Sequence, residues 1–102
     1  MTALFQNEDQ HLNLFVGDLH NHCNVSYGHG SLSDAMKNAR LQLDFASVTV
    51  HAVWPDLPLN DPKLKYLVDY HQKGFARAAA NWPDYLKTVE ELNEEGSFVT
   101  FP

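Results

Sequence analysis

The chain has one cysteine, no run of basic residues and no long apolar stretch, and each shortage removes a class of function. Cys23 has no partner for an internal disulfide, and no cysteine pair stands at zinc-finger spacing. Seven Lys and Arg against 13 Asp and Glu leave a net charge of -6. Nucleic-acid binding relies on cationic side chains that displace counterions from phosphates, so a nucleic-acid partner is not expected. A bound divalent cation would invert the local charge, which keeps small phosphorylated substrates in play. The first ten residues, with Asn7, Glu8 and Asp9 among them, contain no apolar signal-peptide core. No stretch approaches the roughly 20 apolar residues that a bilayer span requires. The expectation is therefore a soluble, cytoplasmic protein with no membrane partner. Neither a Gly-x-Gly-x-x-Gly, a phosphate loop nor a Gly-x-Ser-x-Gly elbow occurs, so nucleotide-binding and serine-hydrolase folds gain no support.

What is present suits a packed core: 44% of the residues are hydrophobic and 20% charged. With 102 residues, the chain reads as one domain or as the N-terminal portion of a larger one. Residues 12–19 carry Leu14, Phe15 and Val16 and predict a buried first strand whose polar end is His20-Asn21-His22. A loop with Gly28 and Gly30 follows. Ser31-Leu32-Ser33-Asp34 resembles a capping box, with Asp34 placed to reach the Ser31 amide. The helix it opens shows Leu32, Ala35, Met36, Ala39 and Leu43 on one face. Phe45 to Val50 reads as a second strand that ends at His51.

Pro55, Pro58 and Pro62 mark a long irregular excursion, and Asp61-Pro62 predicts the cap and first turn of a second helix. Its stripe runs through Leu64, Leu67, Val68, His71, Phe75 and Ala78, with Gly74 as a weak point. A third helix is predicted from near Pro83 through Tyr85, Leu86, Val89 and Leu92, ended by Gly96. Residues 98–101 read as a third strand. Strands alternating with helices predict an α/β fold with parallel strands and crossover helices. Such a sheet is normally buried on both faces, so three strands look like the first part of something larger, an incomplete fragment or a chain that relies on a partner.

Alternation along a strand predicts that Asp18, His20 and His22 project to one side. In parallel α/β folds, ligands bind beyond the carboxyl ends of the strands. His20, His22 and His51 sit at two such ends, and this convergence is stronger evidence than a His-x-His spacing alone. Imidazole suits zinc, manganese and iron, so divalent metal ions are the expected cofactors. His29, in the glycine-flanked loop, is a candidate fourth ligand. Asp18 is expected to orient a ligating histidine, the alternative being a polar residue at the strand end. His71, on an apolar stripe, reads as a satisfied half-buried histidine, and His11 as a solvated one. Cys23 reads as a small buried side chain, and Trp54, Trp82 and Tyr85 as core aromatics, with the lining of a pocket as the alternative.

Gly17-Asp18-Leu19-His20-Asn21-His22, the glycine-bearing loop, a helix, and then Leu43 through His51 resemble the polymerase and histidinol phosphatase (PHP) family. That family opens with His-x-His on its first strand and commonly closes its second with Thr-Asp-His. The resemblance implies a distorted (β/α)7 barrel whose strand ends hold two or three metal ions and hydrolyse phosphoesters of small molecules. His20, His22 and His51 fall on its metal-ligand positions, and the loop position of His29 often carries an Asp or His ligand in relatives. Val50 stands where the family has aspartate. The family's next ligand, a glutamate after the third strand, would lie beyond Pro102. This chain then carries only part of the metal site, completed by a C-terminal part of the same protein or by a homo-oligomer. Two other readings are an amidohydrolase-like metal hydrolase and a non-catalytic metal-binding or oligomerisation module.

Overall fold

The computed structural model describes residues 6–7 and 12–102; His11 lies outside the described residues. Strands β1 (Gln6–Asn7) and β2 (Leu12–Asn13) form a short antiparallel pair. The main sheet has three strands in the order β3 (Gly17–Asn21), β4 (Phe45–Val48) and β5 (Val99–Thr100), all parallel. Helix α1 (Leu32–Arg40) joins β3 to β4, and helix α2 (Lys65–Leu92) joins β4 to β5. The mixed α/β character and the parallel pairing follow the alternation of strand and helix patterns in the sequence.

The local details depart from the pattern in instructive places. The parallel strand expected from Leu12 begins at Gly17, Leu12–Asn13 pairing instead in β2, and Leu14, Phe15 and Val16 are exposed. They are apolar and strand-forming, but among the described residues no layer covers them. Asp44 explains how this segment is nonetheless held. Its amide donates to Val16 O at 2.7 Å, its carboxylate accepts from Val16 N at 2.8 Å, and its carbonyl accepts from Val99 N at 2.9 Å. One buried aspartate thus ties together the amino ends of all three strands.

Ser31 caps α1 by accepting from the Asp34 amide at 3.1 Å. The Asp34 carboxylate does not reach the Ser31 amide; it accepts from the Ser31 hydroxyl at 2.8 Å. The predicted stripe is the packed face, with Leu32 and Met36 buried and Ala35, Ala39 and Leu43 partly so. After β4 the chain wanders through residues 51–61 without regular structure. Asp61 then caps a short 3-10 turn, Pro62–Leu64, which leads into α2.

Two predicted helices are one. A proline inside a helix removes a hydrogen bond and costs about 3 kcal/mol, yet α2 runs 28 residues through Pro83. The reason lies in the stripe. Val68, Ala78, Tyr85 and Val89 stay on one buried side before and after Pro83, and apolar burial of about 1.5–3 kcal/mol per large side chain outweighs the defect. The Tyr85 hydroxyl donates to Val48 O at 2.8 Å and the Thr100 hydroxyl to Val89 O at 2.6 Å, so α2 is also bonded to the sheet and to β5. The helix ends at Leu92; Gly96 lies further on, in the turn ahead of β5, with φ of 78°.

Register sorts the sheet into two faces. Asp18, Ala46 and Thr100 are paired neighbours on one, Gly17, Phe45 and Val99 on the other. Ala46, Val48, Phe98, Met36, Tyr85 and Cys23 form the core. On the opposite side Leu19, Val99 and Phe101 remain exposed. Among the described residues, no helix is long and apolar enough to cross a membrane.

Candidate metal centre

The carboxyl ends of β3 and β4 are laced together around Asn21. Its carbonyl accepts from the Thr49 amide at 2.9 Å and from the Thr49 hydroxyl at 3.2 Å, while its side-chain amide donates to Ser47 O at 2.8 Å. These bonds fix the relative position of the two strand ends, and with them the histidines on either side. His20 and His22 meet edge to face with ring centroids 4.9 Å apart. His22 and His51 are stacked at 4.8 Å with planes 25° apart. His51, which the sequence separates from the His20–His22 pair by about 30 positions, is therefore their neighbour in space.

These spacings can be compared with those two imidazoles adopt on a shared ion. A ligating nitrogen stands about 2.0–2.1 Å from zinc, and the ring centroid roughly 1.1 Å further out. At a tetrahedral angle the two centroids are then about 5 Å apart, and at a right angle about 4.5 Å. The observed 4.9 and 4.8 Å lie between these values. The centroid spacings match that range, but among the described residues the ring nitrogens are not gathered around one point.

Tautomer and charge point the same way. His22 Nδ1 lies 2.8 Å from Thr49 O. A carbonyl only accepts, so Nδ1 carries a proton, and in the neutral ring Nε2 is the nitrogen that keeps its lone pair. Outer hydrogen bonds of this kind orient ligating histidines in metal proteins. The predicted orienting residue, Asp18, does something else. A register irregularity between Asp18 and Asn21 breaks the simple alternation, and the Asp18 carboxylate accepts from the His20 amide at 2.9 Å instead of holding a ring. Desolvation by the surrounding rings, then repulsion from His22, His20 and His71, lowers the pKa of His51 from its ordinary value. The neutral imidazole that a metal needs is favoured.

His29 is exposed on the loop, and the ring contacts of the cluster do not include it. Cys23 is buried in the core, where desolvation raises its thiol pKa. Among the described residues, no three His, Cys, Asp or Glu side chains are already drawn together tightly enough to enclose an ion. The arrangement is a row of ring pairs rather than a closed cage.

Tyr27 at this edge escaped the sequence reading, and His71 has a neighbour set that its expected role did not include. Tyr27 stacks on His51 at 5.1 Å, and His71 meets Tyr27 edge-on at 5.2 Å and Trp54 at 5.1 Å. His71 is satisfied as expected, its Nδ1 lying 2.8 Å from Leu67 O, but it also belongs to the aromatic wall beside the histidine row. Tyr27 is held there by two glycines. Gly28 closes the loop against the strand end, where a Cβ would lie 2.8 Å from main-chain atoms of His22 and Cys23. Gly74 provides the seat, since a Cβ there would lie 2.4 Å from the Tyr27 ring. The signal was legible in principle: a glycine inside an otherwise regular helical stripe usually has a packing reason.

No protein-family model, curated protein or solved structure matches the chain.

Proposed function

We propose that the chain is part of a metal-dependent hydrolase of the PHP type that acts on phosphoesters of small molecules. The observation that carries this reading is the row His20, His22 and His51 at two parallel strand ends, with spacings of 4.9 and 4.8 Å and the His22 tautomer set by Thr49 O. In this reading His20, His22 and His51 are ligands and the exposed His29 joins them by folding the loop inward. A divalent ion held there, zinc, manganese or iron, would lower the pKa of a bound water and polarise a phosphoryl oxygen. The chain's own contribution is to present neutral imidazoles at a fixed edge and to exclude water on the Tyr27, Trp54 and His71 side. The three-stranded sheet with its two crossover helices would be the opening section of a distorted (β/α)7 barrel.

Metal analysis of the purified protein and of His20→Ala, His22→Ala and His51→Ala tests the ligand set. Each substitution should lower bound manganese or zinc, and unchanged content in all three sinks the proposal. A second reading, a metal-binding module without catalysis, draws on the lack of an enclosed ligand set among the described residues. Hydrolysis of a generic aryl phosphate with added manganese or zinc separates the two, because a binding module retains metal and turns nothing over.

A further inference from the structure

Away from the histidine row, the middle of α2 carries a polar stripe. Arg77, Asn81, Asp84 and Thr88 recur at intervals of four, three and four positions, which is one face of a helix. They form one wall of a cavity of about 450 Å³, a size within the range of small-molecule sites. The facing wall comes from Asn24 and Val25, in the loop after β3, and from Leu32, the first residue of α1. Val25, Leu32 and Tyr85 belong to the buried core, so the floor of the cavity is apolar. The Tyr85 hydroxyl is already bonded to Val48 O at 2.8 Å, which leaves its ring as the surface it offers. None of His20, His22 and His51 lines this cavity, so the site is separate from the candidate metal centre and independent of the hydrolase reading.

The two charges on the stripe are unmatched. Three and four positions either side of Arg77 stand Lys73, Gly74, Ala80 and Asn81, none of them acidic. Asp84 has Lys87 within that reach, but Lys87 lies 3.7 Å from Glu91 instead. Among the described residues neither Arg77 nor Asp84 has an ion-pair partner, and they do not pair with each other. Seven helical positions separate them by about 10 Å along the axis. Between them Asn81 donates its side-chain amide to Arg77 O at 2.8 Å, which leaves its side-chain oxygen as an acceptor. We propose that the cavity binds small zwitterions of the size of di- and tripeptides, with the carboxylate at Arg77, the amine at Asp84 and the apolar middle on Val25, Leu32 and Tyr85. A guanidinium matches a carboxylate with two parallel N–H donors. An extended peptide of two or three residues spans about 7–10 Å, the separation of the two charged positions. A single amino acid holds its charges too close together to meet both.

The test titrates the full chain with trialanine, N-acetyl-trialanine and trialanine amide at low salt, followed by backbone amide chemical shifts. Trialanine should shift residues that line the cavity. Blocking either terminus should weaken it about threefold to fivefold, the range open to ion pairs exposed to solvent. Asp84→Asn should abolish the effect of acetylation and keep that of amidation, and Arg77→Gln should do the reverse. Both side chains are exposed, so the fold does not depend on them, and the three peptides on the unaltered protein decide the matter by themselves. No shift at the cavity with millimolar trialanine, equal affinities for the three peptides, or a terminus effect that survives in its matching variant overturns the inference.

Discussion

Replacing Gly74 by alanine sets two effects of opposite sign against each other. Alanine in a helix interior is favoured over glycine by about 0.8–1.0 kcal/mol, and a helix of 28 residues should welcome the change. The new Cβ, however, would lie 2.4 Å from Tyr27 Cδ1 and 3.3 Å from two further ring and side-chain carbons. Carbon atoms pack at about 3.5–4.0 Å, so the ring must retreat by roughly 1 Å, and overpacking of this kind costs about 1–3 kcal/mol. Tyr27 cannot retreat freely, because its carbonyl accepts from the Tyr70 hydroxyl at 2.8 Å and its ring lies on His51. Gly74→Ala should therefore lower stability by up to about 2 kcal/mol, read from urea denaturation followed by circular dichroism. In a Tyr27→Ala background the same substitution should raise stability by about 1 kcal/mol, since only the helix preference remains. Metal affinity, measured in parallel, should fall with Gly74→Ala alone as His51 loses its stacking partner. A gain of about 1 kcal/mol in both backgrounds, with metal affinity unchanged, would refute the seat that Gly74 is argued to make.

Tyr85→Phe removes the buried hydroxyl that donates to Val48 O at 2.8 Å; a loss of about 0.5–1.5 kcal/mol is expected in the same denaturation assay, and an unchanged midpoint contradicts it. Acid should weaken the metal-free protein through His51. Its pKa lies below the ordinary 6.5 in the folded state, so as pH falls the unfolded chain takes up the proton first. Stability is then full above 6.5, declines as pH drops toward the lower folded value, and levels off below it. His51→Gln should reduce that decline, and a denaturation midpoint equally pH-sensitive in both proteins would show that other groups carry it.

The parallel sheet was legible because each element has its own period and its own end signals. The capping serine, the apolar stripe from Leu32 to Leu43 and the turn after Asp61 appear where the residues indicate. The errors share a cause, which is tertiary contact overriding a local rule. Leu14, Phe15 and Val16 carry strand propensity, but propensity says nothing about whether a neighbouring layer exists, and they are exposed. Pro83 carries the strongest local breaking signal in the chain, yet the buried stripe and the Tyr85 and Thr100 hydrogen bonds keep α2 continuous across it. Local rules price a residue against solvent; the fold prices it against what lies opposite.

The candidate site divides along the same line. His20, His22 and His51 could be found from sequence because strand ends converge by topology, independent of any side-chain detail. Their orientation could not, since the group that sets the His22 tautomer is a main-chain carbonyl, at Thr49, and carbonyls leave no trace in residue identity. Asp18, the residue whose chemistry made it the natural candidate for that task, is turned aside by a register irregularity that no periodicity predicts. Val50 shows the complementary case. As a residue type it only subtracts a carboxylate from the expected site. In the fold it lines, with Phe75 and Trp82, an apolar cavity. A position that reads as a lost ligand in sequence is in space part of an apolar wall, which only the packing of α2 against the segment after β4 could show.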